Sequence, residues 1–158
     1  MSTKIRGGSS MLTKEVKIKK LDERAIIPSY GTEYSAGFDL YAILEEDLTI
    51  ESGKTVLVKT GLSMEIPIGC AGMIFARSGL ATKKGLAPAN KVGVVDSDYR
   101  GEVMVALHNH SNENQTIASG ERIAQMVIMP FYKAEFTEVG ELSNSDRGTG
   151  GFGSTGTK

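Results

Sequence analysis

Turn residues break this chain into short apolar or alternating runs with no helical periodicity between them, and that punctuation points to an all-β fold. Glu15 to Lys19 alternates polar and apolar side chains with period two, as a half-buried strand does. Thr55 to Lys59, Leu62 to Ile66 and Met73 to Phe75 follow, set apart by Gly61, Pro67 and Gly69. Lys91 to Val95, Glu102 to Leu107 and Arg122 to Met129 complete the stronger strand candidates. Glu51 to Gly53, Asp98 to Gly101 and Ser119-Gly120 read as turns. Ser78 to Lys84 alone suits a short helix, with Ser78 near its start. Strands at this spacing predict an all-β barrel or jelly roll.

A chain of 158 residues is long enough for one domain with a sizeable core. Residues 1–10 read as a linker or tag, residues 11–143 as the β-barrel domain, and residues 144–158 as a flexible C-terminal flap. A formal net charge of −1 supplies no overall basic field, so neither nucleic acid nor a membrane is expected as a partner. No apolar run approaches the ~20 residues of a membrane span, and no signal-peptide pattern opens the chain. The expected location is the cytoplasm or nucleus, not outside the cell. Cys70, the single cysteine, excludes an intrachain disulfide and reads best as a small buried hydrophobe.

Candidate chemistry begins at the C-terminus. Arg147-Gly-Thr-Gly-Gly-Phe-Gly-Ser-Thr-Gly156 is too rich in glycine to pack as a core element, because glycine loses the most backbone freedom on ordering. Its successive amides can form concave nests for phosphate oxygens. Arg147 adds a planar fork for the same oxygens, and Phe152 offers a flat face for a base. Phosphate plus base points to a nucleotide. Arg77-Ser-Gly-Leu-Ala81 is a second anion candidate: Ser78 can donate a hydrogen bond, Gly79 permits close approach, and amides at a helix start favour negative charge. A Ser-capped surface helix would look the same. In Gly93 to Val103, Asp96 and Asp98 share a face if the strand continues, or belong to an ordinary turn. Gln125 interrupts an apolar run and, if buried, needs a backbone or ligand partner.

Several matches to other motifs fail on detail. Asp96-x-Asp98 opens like a calcium loop, but Arg100 stands at its fifth position and Leu107 at its twelfth. Gly148 to Gly153 spells GxGxxG without the strand-to-helix context of a dinucleotide site. Gly151 to Lys158 lacks the lysine of a P-loop, since Thr157 occupies that place. His108 and His110 have no third ligand nearby, so a metal site there is not expected.

Taken in order, five segments resemble the five motifs of the trimeric deoxyuridine triphosphatases (dUTPases). They are Ser35-Ala-Gly-Phe-Asp-Leu-Tyr-Ala42, Arg77-Ser-Gly-Leu-Ala81, Gly93 to Val103, Gly120-Glu-Arg-Ile-Ala-Gln-Met126 and Arg147 to Gly156. Order, spacing and length agree from about Val16 to Gly156. The resemblance implies a jelly-roll-like β-barrel subunit that assembles as a homotrimer with active sites shared between subunits. It also implies hydrolysis of dUTP to dUMP and pyrophosphate with Mg²⁺ on the triphosphate, an activity that limits uracil incorporation into DNA and supplies dUMP for thymidylate synthesis.

The same resemblance assigns roles residue by residue. Asp96 matches the carboxylate that orients and deprotonates the attacking water. Tyr99 matches the ring packed on deoxyribose, where a 2′-hydroxyl would clash. Asn90, Val94 and Val95 fall where the family's hairpin reads uracil, partly through main-chain groups, and Met104 lines the nucleotide site. Arg77, Ser78 and Gly79 match phosphate contacts, and Gln125 matches a polar contact from a neighbouring subunit. Arg147 is expected on the γ-phosphate, Phe152 over uracil, and Asp39 at the metal's water shell. A dCTP deaminase shares the fold but needs a catalytic Glu and acts on the base. A non-catalytic nucleotide sensor is the other rival. The presence of Asp96 and of the glycine-rich tail favours triphosphate hydrolysis over both.

Overall fold

The structure is a computed structural model that describes residues 12–151. Its elements follow the turn punctuation. They are β1 (Lys17–Lys20), β2 (Phe38–Tyr41), β3 (Leu48–Ile50), β4 (Thr55–Glu65), β5 (Cys70–Phe75), α1 (Ser78–Lys84), β6 (Leu86–Pro88), β7 (Gly93–Val95), β8 (Glu102–Asn109), β9 (Gln115–Ile117) and β10 (Arg122–Pro130). One antiparallel sheet runs β1-β4-β8-β6 and a second runs β2-β10-β5-β7, while β3 pairs with β9 as a short ribbon. The sheets remain open, so the all-β expectation takes a jelly-roll-like form and not that of a closed barrel.

Alternation builds the core. Along β8, Val103, Val105 and Leu107 point inward while Met104, Ala106 and His108 stay half-exposed. The inner faces of both sheets meet through side chains such as Leu62, Met64, Leu107, Leu40, Ile123 and Met126, all essentially without solvent contact. Each such side chain stabilises the fold by about 1.5–3 kcal/mol before chain entropy opposes it. Cys70 is buried and free, as a small hydrophobe should be. Helix α1 begins after Arg77, with no side-chain cap, and ends at Gly85 in the left-handed region (φ 65°), whose N–H donates to the Ala81 carbonyl.

Three departures from the sequence reading have local causes. The runs Thr55 to Lys59 and Leu62 to Ile66 are one strand, because Gly61 forms a bulge and not a turn. Lys59 pairs with Met104 and Ser63 with Glu102, so four steps along β4 match two along β8. Lys91, expected in a strand, has φ 65° and lies in the turn before β7, where its N–H donates to the Pro88 carbonyl. The short strands β2, β3, β6 and β9 carry three or four residues each, too few for alternation to stand out.

Gly61 has φ 68°, and a Cβ there would lie 2.9 Å from that of Ala25. Gly61→Ala should therefore destabilise the protein by about 1–3 kcal/mol, read as a lower midpoint in thermal or urea unfolding. An unchanged midpoint would show that the bulge relaxes freely.

β10 ends at Pro130, and the Phe131 N–H bonded to the Gly69 carbonyl is the next anchor. From there to residue 151 there is no strand, and Tyr132, Phe136 and Leu142 are exposed. Among the described residues no helix is long and apolar enough to cross a membrane.

Candidate active site

The second sheet presents a polar row on its outer face. Gln125 on β10 pairs with Asp39 on β2 at one side and with Phe75 on β5 at the other. Asp39 lies between buried Phe38 and Leu40, and Gln125 between buried Ala124 and Met126, so both point away from the core. Beyond Phe75 the chain turns into α1, which brings Arg77, Ser78 and Gly79 over the same row. Together these residues line a hollow of about 480 Å³. Arg77 Nε donates to Asp39 Oδ1 at 2.7 Å, and Arg122 Nη1 donates to Asp39 Oδ2 at 3.3 Å. Two guanidinium groups on one carboxylate leave a net positive site suited to an anion. Gln125 Nε2 donates to the Ala76 carbonyl at 2.9 Å, which leaves its Oε1 for another donor. Gly37 lies against this amide: a Cβ at that position would sit 2.6 Å from Gln125 Oε1, so a larger residue would push the side chain aside.

A second hollow, of about 260 Å³, opens beside β7 and β8. Asn90, Val94, Val95, Asp96, Tyr99 and Met104 all line it. Strand β7 stops at Val95, so Asp96 opens a turn closed by the Tyr99 N–H on its carbonyl at 3.2 Å. Asp96 and Asp98 therefore do not share a strand face, and only Asp96 borders the hollow. Its exposed carboxylate makes no hydrogen bond or ion pair among the described residues, so it is open to water. The Tyr99 hydroxyl donates to the Glu102 carbonyl at 2.9 Å, and its ring fills the space where a side chain on Gly101 would begin.

The expected site residues thus fall into two groups, each lining its own hollow. Ile74 and Phe75 are consecutive on β5, and one lines the second hollow while the other lines the first. The two hollows have no lining residue in common. Arg147 lines neither; its Nε donates to the Gly150 carbonyl at 2.6 Å within an exposed turn. Phe152 lies outside the described residues.

Sequence reasoning missed Arg122 and Glu102, each of which lines a hollow. Arg122 sits inside the fourth motif, and its charge three residues before Gln125 was the available signal. Among the described residues no group of three or more His, Cys, Asp or Glu side chains could hold a metal. His108 and His110 lie with ring centroids 4.3 Å apart, away from both hollows. Desolvation, then Lys91 and His108, push His110 below the usual histidine range, and His108 Nδ1 shares a 2.8 Å hydrogen bond with Thr55 Oγ1.

Comparison with known proteins bears on the whole of this arrangement. The sequence matches the family described as dUTPase over residues 23–156. It is 54% identical over 142 residues to the deoxyuridine 5′-triphosphate nucleotidohydrolase of Nautilia profundicola, an alignment covering 90% of this chain and 99% of that protein. The protein of the same name from Desulfitobacterium hafniense is 48% identical over 149 residues, covering 94% of this chain and 98% of the relative. Among solved structures, a mutant dUTPase of Staphylococcus bacteriophage 80alpha with dUpNHpp superposes with a TM-score of 0.82 at 28% identity, covering 92% of this chain and 100% of that one.

Proposed function

Because the chain belongs to the dUTPase family, we propose that it hydrolyses dUTP to dUMP and pyrophosphate at sites assembled from the two hollows of different subunits. The observation that carries this reading is the division of labour between them. The first hollow offers two guanidinium groups, a hydroxyl and a polar amide beside Phe75 and Val127; the second offers a hairpin edge, the Tyr99 ring and a carboxylate unpaired among the described residues. A nucleoside triphosphate needs both, which a homotrimer supplies by abutting one subunit's first hollow against another's second.

In this reading the triphosphate lies against Arg77, Ser78, Gly79 and Gln125, with Arg122 beside them. Uracil lies along Asn90, Val94 and Val95, where fixed main-chain donors and acceptors cannot rotate to accept cytosine. The Tyr99 ring covers the face of the sugar, and Met104 closes the side of the nucleoside. Asp96 accepts a proton from a water held in line with the α-phosphorus. The water oxygen forms the new bond to phosphorus, the bond to the bridging oxygen breaks, and pyrophosphate carries that electron pair away. Arg147 neutralises the γ-phosphate and Phe152 stacks on the base as residues 144–158 close over the site, which excludes bulk water.

Mg²⁺ fits this donor set as a substrate-borne ion. Asp39 is the one carboxylate lining the first hollow among the described residues, and it accepts one bond on each oxygen from Arg77 and Arg122. A carboxylate has about four lone-pair sites, so roughly two remain for metal-bound water. The bound ion would spread the phosphate charge; orientation of the water remains the task of Asp96. The cellular role that follows is to keep uracil out of DNA and to supply dUMP, in the cytoplasm or nucleus.

Pyrophosphate release measured with dUTP, UTP, dTTP and dCTP tests the proposal. Release from dUTP alone supports it; equal release from all four, or ammonia from dCTP, overturns it. Ending the chain before Arg147 should leave a folded trimer by light scattering and lower kcat/KM for dUTP by about 10- to 100-fold, the worth of one or two charged phosphate contacts. Full activity in that truncated protein would remove the tail from the site.

A further inference from the structure

We infer that the β4 bulge, acting through Glu102, holds the Tyr99 ring in place and thereby sets how strictly the site rejects a 2′-hydroxyl. The inference rests on the reading of the second hollow as the sugar and base site.

Three bonds tie the bulge to the start of β8 and to the end of the loop that carries Asp96 and Tyr99. Thr60 Oγ1 donates to the Val103 carbonyl at 2.6 Å, Ser63 Oγ donates to the Arg100 carbonyl at 2.7 Å, and the Gly61 N–H donates to Glu102 Oε1 at 2.9 Å. Among the described residues the buried polar side chains are Thr60, Ser63 and Asn109, so two of the three serve this connection. Burying a hydroxyl is unfavourable unless it is bonded, and both hydroxyls bond to the segment that ends in the second hollow. The bulge lies outside all five motifs.

Glu102 is the joint. Its side chain accepts from the Gly61 amide of the bulge, and its own carbonyl receives the Tyr99 hydroxyl at 2.9 Å. Tyr99 is 42% exposed. That bond and the bare Cα of Gly101 beneath the ring both bear on its direction. If Glu102 shifts, the ring shifts with it, and a ring that tilts away leaves room for a ribose. Glu102 is therefore a positioning residue: it acts on substrate choice through Tyr99.

Two variants separate this role from simple stabilisation. Glu102→Ala removes the acceptor, whereas Glu102→Gln keeps a carbonyl oxygen at the same place. The measurements are kcat/KM for dUTP and UTP, together with the NMR signals of the Tyr99 ring and the exchange rate of the Gly61 amide. In Glu102→Ala the Gly61 amide should exchange faster, the Tyr99 ring should sample more than one orientation, and the preference for dUTP over UTP should fall about tenfold, the worth of one hydrogen bond to a charged group. Glu102→Gln should retain both the ring order and the preference. An unmoved Tyr99 ring and an unchanged preference in Glu102→Ala overturn the inference, whatever the melting temperature does. Equal losses in both variants overturn it as well, because the acceptor would then not be what matters. Should the unmodified protein show no preference for dUTP, the functional reading fails, and the ring and amide signals still decide whether Glu102 holds Tyr99.

Discussion

Asp96→Asn is expected to lower kcat for dUTP by about 10² to 10⁴ while leaving affinity for a non-hydrolysable dUTP analogue near normal. The two side chains have the same shape, but an amide cannot accept a proton from water at neutral pH. Because the Asp96 carboxylate makes no hydrogen bond or ion pair among the described residues, the change disturbs no internal contact and folding should be untouched. Its place at the mouth of the second hollow, one turn before Tyr99, sets it beside whatever ring and sugar bind there. Turnover by single-turnover pyrophosphate release and binding by calorimetry make the distinction. A variant that turns over at the ordinary rate takes Asp96 out of the chemistry; one that fails to bind makes it a ligand contact instead.

What the sequence made legible was local. The period of two through Glu102 to Leu107 marked a strand because inward and outward residues alternate in one run. The helix at Ser78 to Lys84 showed by Ser78 near its start, although no side chain caps it, and the turn at Asp98 to Gly101 by its residue types. Most of the second hollow was also legible, since Asn90 to Met104 supply it from one continuous segment, whereas the first hollow gathers residues 31–39, 75–79 and 122–127. What stayed hidden depends on register between distant segments. Arg122 reaches Asp39 across 83 residues, and Glu102 reaches Gly61 across 41. No spacing rule along the chain predicts which strand lies beside which. Gly61 illustrates the limit: glycine is common in turns, and only the pairing of Lys59 and Ser63 with a shorter stretch of β8 shows that it bulges instead.

The separation of the hollows leads to the sharpest test of assembly. Asp96→Asn subunits keep an intact first hollow and a disabled second one; Arg77→Ala subunits have the reverse. Each variant alone should be nearly inactive, the first for want of a base and the second for want of a phosphate contact that is half-buried and aligned by Asp39. In oligomers refolded from an equal mixture, a site is whole when its Asp96 comes from one kind of chain and its Arg77 from the other. If sites form between subunits, random assembly makes about a quarter of them whole, so the mixture should recover about a quarter of the unmodified activity from two nearly inactive parents. If both hollows of one chain served the same substrate, no mixture could hold a complete site, and activity would stay at the level of the parents. Light scattering on the same samples reports whether the oligomer formed. A trimer without recovered activity would therefore place both groups in one subunit and refute the shared site, whereas a monomer with full activity in the unmodified protein would refute the assembly itself.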